Sequence, residues 1–327
     1  MIVDVVTSVL VILTVCKAYQ LTIGPCPVHI DEPCDSGVIK FYLYQNSSHT
    51  DLLDPFKPKL PSYFNTTTST KIIIHGYSGN MDFATSTIVK AYIDYKKVNV
   101  ITVDWNVLAQ LPCYPTAVVN TWHAGQCTAV MMVSLASLGI DPRTMHVLGF
   151  SLGAHVASYA GNWIFSTMGI KVGRITGLDP ALPFFATLKA DWKLDSSDAD
   201  FVDIIHTNSG IYGKVEATGH IDFYVNGGTF QPACANHKNP PICSHMLAPI
   251  YFAESISSPS AFQGVRCSGY LQYMVGWCSG SNAFEDNSVD NNGFHTAIMG
   301  ENCSTRARGV YFVETVPITS LNGNRKH

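Results

Sequence analysis

The stretch His146-Val147-Leu148-Gly149-Phe150-Ser151-Leu152-Gly153-Ala154-His155-Val156-Ala157-Ser158-Tyr159-Ala160-Gly161 decides how this 327-residue chain is read. It opens on a short apolar run suited to a buried strand and closes on small residues suited to a tightly packed helix. Between the two, Gly149-Phe150-Ser151-Leu152-Gly153 fits the pattern G-x-S-x-G. A sharp turn there lifts a serine hydroxyl to the top of a sheet. Glycine on either side avoids the clash a side chain would make where helix and strand approach. With 25 glycines in the chain the bare pentapeptide carries little weight. Its strand-turn-helix context makes Ser151 a candidate nucleophile.

Working outward, strands are predicted at 38–44, 71–74, 98–103, 174–178, 201–206, 221–225 and 311–315. Helices are predicted at 82–95, 116–138 and 246–256. Strands alternating with helices imply an α/β fold, with a mostly parallel central sheet covered by helices on both faces. No repeat, heptad run or low-complexity linker divides the chain, and the Gly/Asn/Ser-rich stretch 279–293 reads as an irregular loop. A single domain is expected.

Residues 5–15 are apolar, and Cys16-Lys17-Ala18 offers small residues for cleavage after Ala18, although Asp4 stands where a cation is usual. The expectation is a signal peptide at 1–18, a mature domain at 19–327 and a secreted protein. Cysteine usage agrees: of ten cysteines, nine remain after cleavage, and Cys234/Cys243 and Cys267/Cys278 are spaced for small local loops. Cys127, inside a helical pattern, is the expected unpaired thiol. Sequons at Asn46, Asn65 and Asn302 are candidate glycan sites. A net charge of −4 gives no footprint for nucleic acid. With 13% charged and 46% apolar residues, the composition suits contact with apolar substrate, or simply a large buried sheet.

A serine hydroxyl needs a base within hydrogen-bond reach, and that base needs an orienting carboxylate. On an elbow of this kind the order along the chain is serine, acid, histidine. Asp179 ends a predicted strand just before Pro180 and is better placed than Asp203, inside a strand, or Asp222, at the start of one. His206, His220, His237, His245 and His295 all follow it. His245, beside Cys243 in a loop before a helix, is the best placed, with His206 next. The oxyanion hole needs two backbone N–H groups. Leu152 supplies one; in His75-Gly76-Tyr77, after an earlier strand, Tyr77 supplies the other.

Together these blocks resemble the pancreatic lipase family of secreted α/β-hydrolases. The resemblance rests on His75-Gly76-Tyr77, Val103-Asp104-Trp105, the Ser151 pentapeptide with Ala154-His155, Gly177-Leu178-Asp179-Pro180-Ala181, Ile205-His206-Thr207, residues 219–228 and Cys243-Ser244-His245. It implies an α/β-hydrolase fold with Ser151 as nucleophile, Asp179 as acid and His245 as base. It places Tyr77 and Leu152 at the oxyanion hole and makes His206 and His220 framework residues. It implies disulfides Cys234/Cys243, closing the lid loop, and Cys267/Cys278. Cys113 is expected to pair with Cys26 or Cys34, and Cys303 with the other.

Departures from the family sharpen the expectation. The Cys234 to Cys243 loop, with Pro240 and Pro241, is too short and proline-rich for a helical lid, and the segment from His206 to His220 is shortened. Short loops leave room for a polar headgroup and resemble the phospholipase A1 branch. Hydrolysis of the sn-1 ester of phospholipids is therefore the leading expectation. A neutral triacylglycerol or galactolipid lipase is the alternative, and a non-catalytic, yolk-type lipid-binding relative the third reading. The partner expected is glycerolipid at a membrane or aggregate surface. No colipase-binding β-sandwich domain is expected, so no colipase dependence either. No cofactor is required. Parts of the family bind calcium near residues 192–198, where Asp195 and Asp198 are suitable ligands. Ala190 stands where some members carry an acid, so both carboxylates are expected to be solvated loop residues.

Overall fold

The computed structural model describes residues 21–30, 33–34, 37–79, 83–187, 189–267, 270–275 and 295–315. The expected signal peptide, Cys278 and the 279–293 loop lie outside them. A small hairpin, β1 (Leu21–Ile23) and β2 (Cys26–Val28), precedes the main sheet. That sheet takes in β3 (Lys40–Asn46), β4 (His49–Leu53), β5 (Thr70–Ile74), β6 (Asn99–Asp104), β7 (Met145–Phe150), β8 (Val172–Leu178), β9 (Ala199–His206), β10 (Ile221–Val225), β11 (Gln263–Arg266), β12 (Thr296–Ile298) and β13 (Gly309–Val313). Their order is β12-β11-β13-β10-β9-β8-β7-β5-β6-β3-β4. Every pairing from β13 across to β6 is parallel, and the antiparallel pairings lie at the two margins. This is the mostly parallel α/β architecture that the strand and helix pattern predicts.

Side-chain alternation along each strand serves a separate core on each face. Ile72 and Ile74 of β5 with Val147 of β7 pack under α2 (Tyr114–Ser137) and α3 (Leu152–Met168). Ile73, Leu148 and Phe150 face α1 (Phe83–Tyr95) and α4 (Pro240–Ser257). Strands buried on both faces read as unbroken apolar runs, which is why β5 and β7 are so evident in sequence. The chain runs from β5 through α1 to β6 on one side, then through α2 to β7 on the other. That reversal opens a crevice at the carboxyl ends of β5 and β7, where ligands of open α/β sheets bind.

Several expectations change. β4 is exposed along most of its length and lacks apolar alternation, and β11 and β12 are short, so none shows in the sequence pattern. The predicted helix 246–256 starts six residues earlier, at Pro240, because Asn239 caps it by accepting the Ile242 N–H at 3.3 Å. His245 therefore sits on a helix, not in a loop. Proline at the first helical positions has no N–H to satisfy and favours this start. Cys127 is not the odd thiol: it pairs with Cys34, as Cys26 does with Cys113. Cys303 is the free cysteine among the described residues. The long bridges hold the N-terminal hairpin against α2, and closing a single loop of 87 or 93 residues contributes about 4.6 kcal/mol in the chain-entropy account. Cys234 pairs with Cys243, and Cys267 is disulfide-bonded. Asn46, Asn65 and Asn302 are all exposed, as a glycan acceptor must be.

Candidate active site

The turn from β7 into α3 places Ser151 at φ +55° and ψ −119°, a left-handed conformation that costs a non-glycine residue about 1–3 kcal/mol. Its surroundings hold it there. The Ser151 N–H donates to the Leu178 carbonyl at 3.0 Å, and its own carbonyl accepts from the Ala181 N–H at 3.2 Å. A β-carbon on Gly153 would lie 2.5 Å from the Ile74 carbonyl oxygen, and one on Gly76 would lie 2.8 Å from Ser151 Cβ. Both glycines let backbone approach backbone around the serine.

Asp179 follows β8 directly, at φ +43°, and is fully buried. Its Oδ1 accepts the N–H groups of Thr207 at 2.8 Å and Asn208 at 3.0 Å. Its Oδ2 accepts His245 Nδ1–H at 2.6 Å. The imidazole lies between Phe150 and Tyr212, at centroid distances of 4.7 and 5.6 Å. Because Nδ1 carries the proton given to Asp179, Nε2 of the neutral ring is the acceptor. Gly213 is a residue that sequence reasoning did not find. A β-carbon there would sit 2.4 Å from Asp179 Oδ1, so only glycine lets the 206–220 loop close over the carboxylate. Its one signal is position in that shortened loop.

The other expected N–H donors are built by a second set of bonds. Trp105 N–H donates to His75 Nε2 at 3.1 Å, which makes Nδ1 the protonated nitrogen, and that donates to the Gly76 carbonyl at 2.8 Å. Trp105 Nε1–H donates to the His75 carbonyl at 2.9 Å. Buried His75 thereby shapes the turn that ends in Tyr77, a positioning role the sequence motif did not disclose. Leu152 is the first residue of α3, so its N–H has no carbonyl one turn back and lies at the positive end of the helix.

Ser151, His245 and Tyr77 line one cavity of about 550 Å³ with Tyr114, Tyr212 and Met246. Its wall is largely apolar, and Leu111 and Ile242 stand exposed at its edge. A few polar groups converging in an apolar pocket are the usual build of a small-molecule binding site.

The competing histidines and acids are engaged elsewhere. His206 is buried, donating Nδ1–H to the Lys214 carbonyl at 3.0 Å with Nε2 2.9 Å from Asp222 Oδ1. His220 Nδ1 accepts the Val202 N–H at 3.0 Å, and His237 and His295 are exposed. Asp203 pairs with Arg174. His155, stacked on Phe185, donates Nε2–H to the Ala181 carbonyl at 2.9 Å; burial pushes it down to about 3, so it is a neutral brace beneath the elbow.

Asp198 is not the solvated residue expected. It is buried, and its oxygens accept from Asn162 Nδ2 at 2.8 Å and the Asp195 N–H at 2.9 Å. Burial, with the Asp195 charge adding to it, pushes its carboxyl up to about 7. No group of three His, Cys, Asp or Glu suited to a metal occurs among the described residues.

The family model described as Lipase matches residues 29–315. Lipase member H-A of Xenopus laevis is 35% identical over 228 residues, covering 68% of this chain and 49% of that protein. Pancreatic lipase-related protein 2 is 35% identical over 268 residues in Myocastor coypus and 34% over 266 residues in Homo sapiens, covering 73% of this chain and 56% of each relative. The chain spans about half the length of the curated relatives it matches.

Proposed function

The chain belongs to the Lipase family, and on that premise we propose that it is a secreted serine ester hydrolase of glycerolipids, with Ser151, Asp179 and His245 as its catalytic residues. The observation that carries the reading is the 2.6 Å bond between His245 and Asp179, made by a ring that shares a cavity with the strained Ser151. Ser151 Oγ attacks the ester carbonyl as its proton passes to His245 Nε2. The Asp179 carboxylate stabilises the imidazolium, and the N–H groups of Tyr77 and Leu152 receive the oxyanion. The proton returns to the departing alcohol, an acyl-enzyme forms on Ser151, and water activated by His245 releases the fatty acid. Every group in this sequence comes from the chain itself, so no cofactor is needed.

The substrate proposed is a phospholipid cleaved at its sn-1 ester. Cys234 and Cys243 are only nine positions apart, and the first turn of α4 takes up much of that span. A loop so short cannot also form a helix over the cavity, and a polar headgroup gains the space. Action on lipid at a membrane or aggregate surface follows the same reading. The disulfides support an extracellular location.

The test is to assay purified protein on phosphatidylcholine, triolein and a water-soluble short-chain ester, beside Ser151→Ala. Phosphatidylcholine hydrolysis with fatty acid released from sn-1 is expected. Strong triolein preference would replace the phospholipase reading. Lipid binding with turnover no higher than the Ser151→Ala control would leave a non-catalytic lipid binder.

A further inference from the structure

A second hollow, of about 450 Å³, lies where α2 and α3 pack, and it shares no lining residue with the cavity at Ser151. Three aromatic residues build it. Trp122 of α2 meets Tyr159 of α3 at 5.2 Å and 71°, and Trp163 at 5.9 Å and 61°. In each contact the edge of one ring meets the face of the other, and all three rings line the hollow. Trp122 is 44% exposed, which is a large apolar area to leave in water for packing alone. Asp191, from the short turn Ala190–Trp192, stands at the edge of the hollow.

Most polar groups around the hollow are satisfied internally; the exceptions are the buried Trp163 Nε1–H, which has no hydrogen-bond partner among the described residues, and Asp191. Tyr159 OH donates to the Trp192 carbonyl at 3.2 Å, Asn162 Nδ2 to Asp198 at 2.8 Å, and Ser166 Oγ to the Trp163 carbonyl at 2.9 Å. The exposed Asp191 carboxylate has no ion-pair partner among the described residues. Of the two lysines nearest in sequence, Lys189 lies over the ring of Trp192 at 4.4 Å and Lys193 pairs with Glu216 at 2.7 Å. The hollow therefore combines aromatic faces, each electron-rich at its centre, with one uncompensated negative charge. That combination selects a large, weakly hydrated cation. A primary ammonium is strongly hydrated and gives up more water to reach a ring face, whereas a quaternary ammonium holds its shell loosely and is attracted by the ring quadrupoles.

We propose that Trp122, Tyr159, Trp163 and Asp191 form a binding site for the trimethylammonium group of a choline-bearing ligand. Tyr159 lies eight residues beyond Ser151, about 12 Å along α3 from the elbow, and the occupant is a different molecule from the one being hydrolysed. The ligand chemistry is shared by free phosphocholine and by phosphatidylcholine headgroups at a membrane surface.

Binding is measured on the Ser151→Ala protein, so that its outcome does not depend on hydrolysis. Broadening of the methyl proton resonance is followed for tetramethylammonium and for phosphocholine, with methylammonium and methyl glucoside as controls. Saturable broadening by the two quaternary ligands in the millimolar range, and by neither control, is expected. Adding Trp122→Ala should weaken it about tenfold, the loss of one strong ring face. Adding Asp191→Asn should weaken it several-fold and flatten its dependence on salt. Melting followed by circular dichroism checks that each variant is folded, and Asp191→Asn serves if Trp122→Ala is not. Sedimentation with phosphatidylcholine vesicles that tetramethylammonium competes away identifies the membrane as the source. Binding of soluble phosphocholine without vesicle binding identifies the free ligand. No saturable binding of either quaternary ligand, equal binding in the folded variants, or preference for the glucoside overturns the proposal.

Discussion

The two ends of the same strands are built on opposite terms. At their carboxyl ends β7 and β8 run into Ser151 and Asp179, both at positive φ, beside an imidazole whose Nε2 is left as an acceptor in an open cavity. Five residues below Ser151, about 16 Å along the strand, Lys71, His146 and Arg174 stand in one row across β5, β7 and β8. Arg174 donates to both oxygens of Asp203 at 2.8 Å and to the Gly300 and Glu301 carbonyls at 2.8 and 2.9 Å. Lys71 and Tyr92 share the Glu301 carboxylate, at 2.8 and 2.6 Å. Burial, with the Arg174 and Lys71 charges adding to it, holds His146 well below the usual imidazole range, and its Nε2 meets Thr176 Oγ1 at 2.7 Å. Nearby Cys303 is buried, and desolvation pushes its thiol up to about 12, which leaves it unreactive. The lower end fastens the 300–303 segment to the sheet with its bonding capacity used. The upper end holds strained backbone and keeps acceptor capacity free. On the proposed function, a stable sheet supports a reactive edge because the two demands fall on different rows.

Breaking the upper end should leave stability nearly unchanged and remove chemistry. Ser151→Ala should lower kcat on a soluble ester by about 10⁴-fold or more, with the melting curve nearly unchanged, because alanine keeps the β-carbon and the same backbone conformation. The reverse is expected below. Arg174→Met, which leaves Asp203 buried without its partner, should cost about 3–5 kcal/mol in urea unfolding, with turnover per folded molecule retained. Gly213→Ala tests the packing on Asp179: its β-carbon displaces the carboxylate, and kcat should fall about 10- to 100-fold for a smaller stability loss. Loss of stability equal to that of Arg174→Met, with kcat intact, would break the distinction between the two ends.

A further effect concerns pH. His155 has its folded-state value lowered from the ordinary 6.5 to about 3, chiefly by burial. Its contribution is fully present above pH 6.5 and is lost as pH falls toward 3, because the unfolded ring gains a proton that the folded ring refuses. His155→Phe should therefore reduce the slope of unfolding free energy against pH in that window by up to about 1.4 kcal/mol per pH unit. Urea titrations at several pH values across the window check it. An unchanged slope would remove His155 from the account.

Reading the chain alone goes furthest where burial on both faces imposes a pattern. β10 has the bounds 221–225 that its apolar run predicts, and the runs in β5 and β7 lie within the strands they announce. Asp179 is legible as a strand-ending acid before proline, and the lipase resemblance rests on ordered blocks that a local pattern cannot supply by chance. The edges resist the same reading: β4 is solvated, and β11 and β12 bury too little to carry a period. The start of α4 depends on a cap by Asn239, and a pair of prolines reads equally well as a loop.

Residue order specifies the alternation of strand and helix, the elbow at Ser151 and an acid and histidine of the right chemistry, because these are local consequences of periodicity and turn geometry. The choice among five histidines on spacing, the pairing of Cys127 with Cys34, and the role of Gly213 against Asp179 depend on segments far apart in the chain. Hydrogen bonds and close contacts act over a few ångströms in space, and only folding brings those segments within that range.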